Sequence, residues 1–253
     1  MAGPKKIDHA GDMNRATQIQ SLAERIDALD WSGIAADLDA RGFATTGPLL
    51  SAAECADLVA LYGGEGFRSR VVMQRHNFGR GEYKYFSSPL PEAVQTLRAA
   101  LYPHLAPVAR RWAPALGLTT PFPDKLSAFL RICHEAGQKR PTPLLLRYEA
   151  GDYNCLHQDI YGDVVFPLQL TIALTQRSAD FEGGEFVLVE QRPRAQSRAE
   201  VVPLMRGEGV IFATRHRPAA GTRGTYRTVL RHGVSRVTRG LRFTLGVIFH
   251  DAA

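Results

Sequence analysis

His157 and Asp159 stand two residues apart in the stretch LHQDIYGD, shortly after the apolar run Leu144-Leu145-Leu146. In a strand, residues i and i+2 share a face, so an imidazole and a carboxylate would converge on one point while Gln158 turns away. Two such donors hold a divalent ion weakly, and a third is needed. His232 and His216, both in the C-terminal half, are the candidates that spacing leaves open. After His232 the chain reads as a turn followed by the strand LRFTLGVIF, in which Arg242 and Thr244 share one face and Leu241, Phe243 and Leu245 the other. A guanidinium beside a hydroxyl on an inward face is suited to grip a carboxylate through paired hydrogen bonds. A buried arginine without an anion is costly, so a substrate or cosubstrate acid is the expected partner.

The elements that must position these groups fall into two territories. At 253 residues, 45% hydrophobic and 22% charged, the chain is ordinary globular material with enough length for a sizeable core. Residues 1–18, MAGPKKIDHAGDMNRATQ, lack the apolar core of a secretion signal and are expected to be disordered. Three cysteines are too few for a disulfide framework, and no apolar run approaches the ~18 residues of a membrane span. A soluble, reducing, cytoplasmic setting is expected, with no membrane association and no obligate protein partner.

From 19 to 142 the pattern is mainly helical. Ser51 and Glu54 have capping-box spacing before ADLVALY, Pro91 suits the first turn of a helix through PEAVQTLRAALY, and DKLSAFLRICHEAG forms another. From 143 to 253 come short β-rich runs split by glycines and polar turns: LLLRY, CLHQD, FPLQLTIAL, GEFVLVEQ, EVVPLM, GVIFAT, TVLRHGVSRV and LRFTLGVIF. That order predicts an α+β chain, a β-barrel or sandwich backed by helices, with the two parts forming one integrated domain.

Charge is regional. Between Arg192 and Arg242 twelve arginines face two acids, which gives +10 there and −4 elsewhere within a net +6. A concentrated basic surface suits a polyanion such as nucleic acid, because each phosphate neutralised releases counterions. The stretch 67–86, FRSRVVMQRHNFGRGEYKYF, interleaves Arg68, Arg70, Arg75, Arg80 and Lys84 with Phe78, Tyr83, Tyr85 and Phe86. Cations alternating with flat rings match the phosphates and base faces of an unstacked strand. Arg75, Arg80, Tyr83 and Tyr85 are the substrate-binding candidates. The bland alternative is a surface hairpin with aromatics half-buried against the helices.

Four ordered pieces resemble the Fe(II)/2-oxoglutarate-dependent oxygenases: LLLRYEAGDYNCLHQD, the glycine-pair hairpin FEGGEFVL, GEGVIF, and HGVSRVTRGLRFTL with an arginine ten residues after its histidine. The resemblance implies a double-stranded β-helix (jelly roll) with N-terminal helices packed on one sheet. It implies Fe(II) held by His157, Asp159 and His232 rather than His216, and 2-oxoglutarate gripped by Arg242 with Thr244 and contacted by Tyr148. Molecular oxygen is the second cosubstrate. Two imidazoles and one carboxylate leave coordination positions open, as non-haem iron oxygenases require, whereas a structural zinc site closes with four ligands. Cys155 is expected to fill the barrel interior as a small hydrophobe. The chain as a whole resembles the bacterial branch associated with damaged DNA, which implies oxidative dealkylation or hydroxylation of alkylated bases in DNA repair. The same ligand motifs also resemble prolyl-hydroxylase-like protein hydroxylases, and a small-molecule hydroxylase shares them too.

Overall fold

A computed structural model describes residues 20–222 and 224–253. The elements, in chain order, are α1 (Leu22–Asp27), α2 (Trp31–Arg41), β1 (Phe43–Pro48), α3 (Ala52–Ala60), β2 (Phe67–Val72), β3 (Gly79–Arg80), β4 (Glu82–Phe86), α4 (Glu92–Leu116), α5 (Leu126–Glu135), β5 (Leu144–Glu149) and β6 (Tyr153–His157). They continue with β7 (Leu168–Ala173), β8 (Phe181–Gly183), β9 (Phe186–Gln191), β10 (Arg198–Val202), β11 (Glu208–Ala213), β12 (His216–Gly221), β13 (Gly224–Val234) and β14 (Val237–Ile248). The predicted disordered stretch 1–18 lies outside the described residues.

Local chemistry sets the helix boundaries. Ser21 with Glu24 and Ser51 with Glu54 form reciprocal capping boxes at the starts of α1 and α3, and Gly42 closes α2 in the left-handed conformation. Pro91 takes the N-cap position of α4, one residue earlier than expected, because a fixed φ and no N–H suit the edge of the first turn as well as its interior. That helix also runs on through Pro103, Pro107 and Pro114 to Leu116, well past the predicted segment. Packing overrides the local penalty: Leu97, Leu101, Leu105, Ala109 and Trp112 are all buried along one face.

The strands form two antiparallel sheets. The larger has the order β1-β11-β7-β14-β5-β4-β2 with β8 beside β14, and the smaller β10-β9-β13-β6-β3 with β12 beside β13. Alternation assigns the faces of the larger sheet. Phe243, Leu245 and Val247 of β14 join Leu168, Leu170 and Ile172 of β7 in the core shared with α4 and α5, while Arg242, Thr244, Gly246, Gln169 and Thr171 point into a cavity on the other side. The stretch 67–86 supplies β2, β3 and β4. Its β4 pairs with β5 of the larger sheet and its β3 with β6 of the smaller, so this segment joins both sheets at the cavity mouth.

Candidate active site

The smaller sheet carries both histidines. His232 of β13 pairs directly with His157 of β6, which brings their ring centroids to 4.1 Å. Asp159 lies two residues beyond the end of β6, so the shared-face reasoning from a continuous strand does not hold for it. The chain leaves the ladder at Gln158, whose Nε2 donates to the carbonyls of Arg215 and Leu230, and then turns the carboxylate back to the histidines. Asp159 Oδ1 is 3.6 Å from His157 Nε2, and Oδ2 is 3.2 Å from His232 Nε2. All three donor atoms lie within 4.8 Å of one another, the one such cluster of three or more among the described residues.

Electrostatics tie the three together. Burial alone would raise the Asp159 carboxyl, but His157, His232 and hydrogen bonds from His232 and Tyr161 overcome it and hold the group well below the usual carboxylate range. Burial and the neighbouring His157 push the His232 imidazole down, which favours the neutral ring that a metal needs. His157 Nδ1 lies 2.8 Å from the Cys155 carbonyl, an arrangement in which Nδ1–H donates and Nε2 keeps its lone pair toward the site. Rings of Phe186 and Phe212 pack on His232 at 5.8 and 4.7 Å.

The larger sheet supplies the opposite wall. Arg242 is 3% exposed, and its polar contact is to Thr244 Oγ1 at 3.5 Å. No carboxylate lies within ion-pair distance of it among the described residues. Its guanidinium sits 5.4 Å from the Tyr148 ring centroid and 5.8 Å from that of Phe181. Gly184, at φ +61°, lets the hairpin close over this arginine; a Cβ there would meet Arg242 Cδ at 2.8 Å. Tyr148 is fully buried, and its hydroxyl accepts from Asn154 Nδ2 at 3.4 Å. The triad, Arg242, Thr244 and Tyr148 all line one cavity of about 250 Å³.

Of the substrate candidates, Tyr83 and Tyr85 line the cavity, whereas Arg75 and Arg80 stand exposed on the segment at its mouth. Arg80 lies 3.8 Å from Asp152. The interleaved cations do not act as one set. Arg68 donates to the Pro141 carbonyl and covers the Tyr85 ring, Arg70 pairs with Glu82, and Lys84 donates to the Tyr62 carbonyl. The arginine-rich stretch is likewise divided: Arg217 is buried against Glu190, and Arg192, Arg198 and Arg239 are ion-paired.

Cys155 is exposed rather than filling the barrel, because the irregular pairing between β6 and β13 turns Asn154, not Cys155, into the cavity. His216 lies on β12 beside Arg215, outside the cavity lining. Tyr161, Gln169 and Thr171 are among the lining residues that the sequence-based expectations missed. Tyr161 donates to Asp159 Oδ1 at 2.8 Å, and Gln169 and Thr171 come from β7. Tyr161 stands two residues after Asp159, a spacing that could have revealed it. The cavity-facing register of β7 has no polar pattern strong enough to do the same.

Residues 81–252 match the family described as "Oxygenase, catalysing oxidative methylation of damaged DNA". The chain belongs to this oxygenase family. A Mycobacterium tuberculosis protein described as uncharacterized is 50% identical to the oxygenase over 168 residues, 66% of this chain and 72% of that one. Among solved structures the oxygenase is similar to a Pseudomonas putida prolyl-4-hydroxylase, with TM-score 0.53, 16% identity, and 88% and 100% of the two chains covered. It is also similar to an oxidoreductase of the 2OG-Fe(II) oxygenase family from Burkholderia pseudomallei, with TM-score 0.50, 17% identity, and 88% and 93% covered. At such identities these likenesses speak for the fold: mixed helices and antiparallel sheets of the 2OG-Fe(II) oxygenase kind. The expectation of an oxygenase stands, and the described residues bring together two histidines and one aspartate that could hold a metal ion. No described helix is long and apolar enough to cross a membrane.

Proposed function

We propose that the oxygenase hydroxylates an N-alkyl group on a damaged DNA base, with His157, Asp159 and His232 holding Fe(II). The donor set fits that ion: two imidazoles and one carboxylate converge, with no thiolate in the group and a cavity left on the open side. When bound, Fe(II) and 2-oxoglutarate together activate O2, one oxygen atom leaving in succinate as CO2 is lost and the other entering the substrate.

The chain's own residues do the rest. Arg242, buried without an acid partner among the described residues, binds the far carboxylate of 2-oxoglutarate, assisted by Thr244, and Tyr148 borders the same acid. This unpaired buried guanidinium in the cavity of the triad is the observation that carries the cosubstrate assignment. Tyr161 fixes Asp159 through its hydroxyl and remains a donor, since burial and the carboxylate raise its pKa well above the ordinary tyrosine value. Phe186 and Phe212 exclude water from one side of His232.

For the substrate, hydroxylating an N-methyl carbon gives an unstable N–CH2OH group that splits into N–H and formaldehyde. The chemistry therefore removes a methyl group from the base, and the family description is taken in that direction. Tyr83 and Tyr85 offer rings to a base drawn out of its stack, and Arg75 and Arg80 offer charge to its phosphates. The two sheets are taken as a double-stranded β-helix. Segments 19–142 and 143–253 are taken as one integrated unit, a reading supported by the 67–86 segment pairing into both sheets.

Succinate release with Fe(II) and 2-oxoglutarate, measured across alkylated single-stranded DNA, duplex DNA, RNA and peptide pools, tests this. Stimulation by alkylated DNA with formaldehyde in equal amount is expected. Stimulation by peptides alone would replace the reading with a prolyl-hydroxylase-like one.

A further inference from the structure

Within the cavity wall sits a carboxamide with nothing to bond. Gln169 is 2% exposed, and its Nε2 has no hydrogen-bond partner among the described residues. Tyr102 Oη and His250 Nε2 share that condition, but neither residue lines the cavity, whereas Gln169 does. A buried amide donor without an acceptor weakens a fold, and an aliphatic residue would serve a purely structural position on this strand better. A ligand atom that completes the hydrogen bond when the cavity is filled explains the glutamine.

Strand register indicates which ligand. Thr244 pairs with Ala173, and Ile248 pairs with Gln169. Gln169 therefore lies four residues along the sheet from the level of Thr244, about 13 Å at the usual strand rise. A five-carbon diacid held at Arg242 ends short of that distance. On its other side Gln169 faces Phe212 of β11, whose ring packs 4.7 Å from that of His232. Gln169 thus lines the triad's cavity away from the level of the cosubstrate clamp, next to the phenylalanine that packs on His232.

We infer that Gln169 is a specificity-determining residue whose Nε2–H donates to an acceptor on the substrate's polar edge, a carbonyl oxygen or ring nitrogen of an N-alkylated nucleobase. This rests on the damaged-base reading above. A carboxamide presents a donor and an acceptor side by side, the pattern by which glutamine pairs with base edges. Tyr83 and Tyr85 line the same cavity from β4, in T-shaped contact with each other at 5.4 Å.

The test compares wild-type, Gln169→Leu and Gln169→Glu proteins loaded with Mn(II) and 2-oxoglutarate without oxygen. Fluorescence anisotropy measures binding of single-stranded oligonucleotides carrying one 1-methyladenine, one 3-methylcytosine or no modification, and Tm is recorded for each ligand-free protein. Gln169→Leu is expected to melt no lower than wild type, to bind 2-oxoglutarate equally, and to lose tenfold or more of the preference for a methylated strand. Gln169→Glu, which keeps the shape without the donor, loses it as well. A lower Tm for Gln169→Leu with unchanged preference would make the residue structural and overturn the inference while leaving the DNA reading intact. Absence of any preference in the wild-type protein would remove the DNA reading, and the inference with it.

Discussion

The hydroxyl of Tyr161 donates to Asp159 Oδ1 at 2.8 Å and itself receives a hydrogen bond from Tyr85 at 2.9 Å. One carboxylate oxygen is thereby tied back, and Oδ2 is left facing His232. Outer groups of this kind commonly govern metal affinity by about 10–100-fold. Tyr161→Phe is expected to weaken Mn(II) binding within that range while leaving Tm within a few degrees, as checked by titration calorimetry. Unchanged affinity would show that the loop alone fixes the carboxylate.

Arg242→Met separates binding from folding. Removing a buried guanidinium that lacks an acid partner leaves the ligand-free protein as stable or more so. The KM for 2-oxoglutarate should rise about 100-fold, roughly 3 kcal/mol of lost carboxylate pairing. Steady-state kinetics with thermal melting reads both effects, and a fall in Tm with unchanged KM would refute the clamp.

The acid limb of stability should be steep. Burial, with Arg98 nearby, lowers the His250 imidazole from its ordinary value of 6.5 to about 4, and burial lowers His216 to about 4 as well. Between pH 6.5 and 4 the unfolded chain takes up protons that the folded protein refuses, so this stability is complete above about 6.5 and lost as pH falls. For His250 alone the loss is on the order of 3 kcal/mol. Denaturant unfolding at pH 7 and pH 5 checks the sign, and His250→Asn should flatten the slope.

Much of the site was legible because its residues carry spacing. The His157-x-Asp159 pair and the interval from His232 to Arg242 are short-range signals whose four side chains line one cavity, and the glycine pair at 183–184 lets the hairpin close over Arg242. Long-range pairing hid the rest. Nothing near Gln169 in the chain announces that β14 and β11 flank it, and Lys84 looks free until Tyr62 closes on it. The proline-crossed length of α4 was likewise set by burial against the sheet, which local propensity does not report.

Arg75→Gln with Arg80→Gln should impair processing of alkylated DNA while leaving substrate-independent consumption of 2-oxoglutarate nearly intact. The slope of log affinity against log salt should become shallower by about 0.7 for each phosphate of a single strand that is no longer neutralised. Equal loss of both activities would argue that these arginines support the fold instead.

Because β3 and β4 knit opposite walls together across Gly79 and Gly81, the rim is built from a stretch of chain that contributes no ligand to the triad. Aperture and chemistry are therefore separable in this architecture. Grafting a longer or shorter crossing between Met73 and Glu82 offers a way to retune which molecules gain admission while the oxidising centre is left untouched.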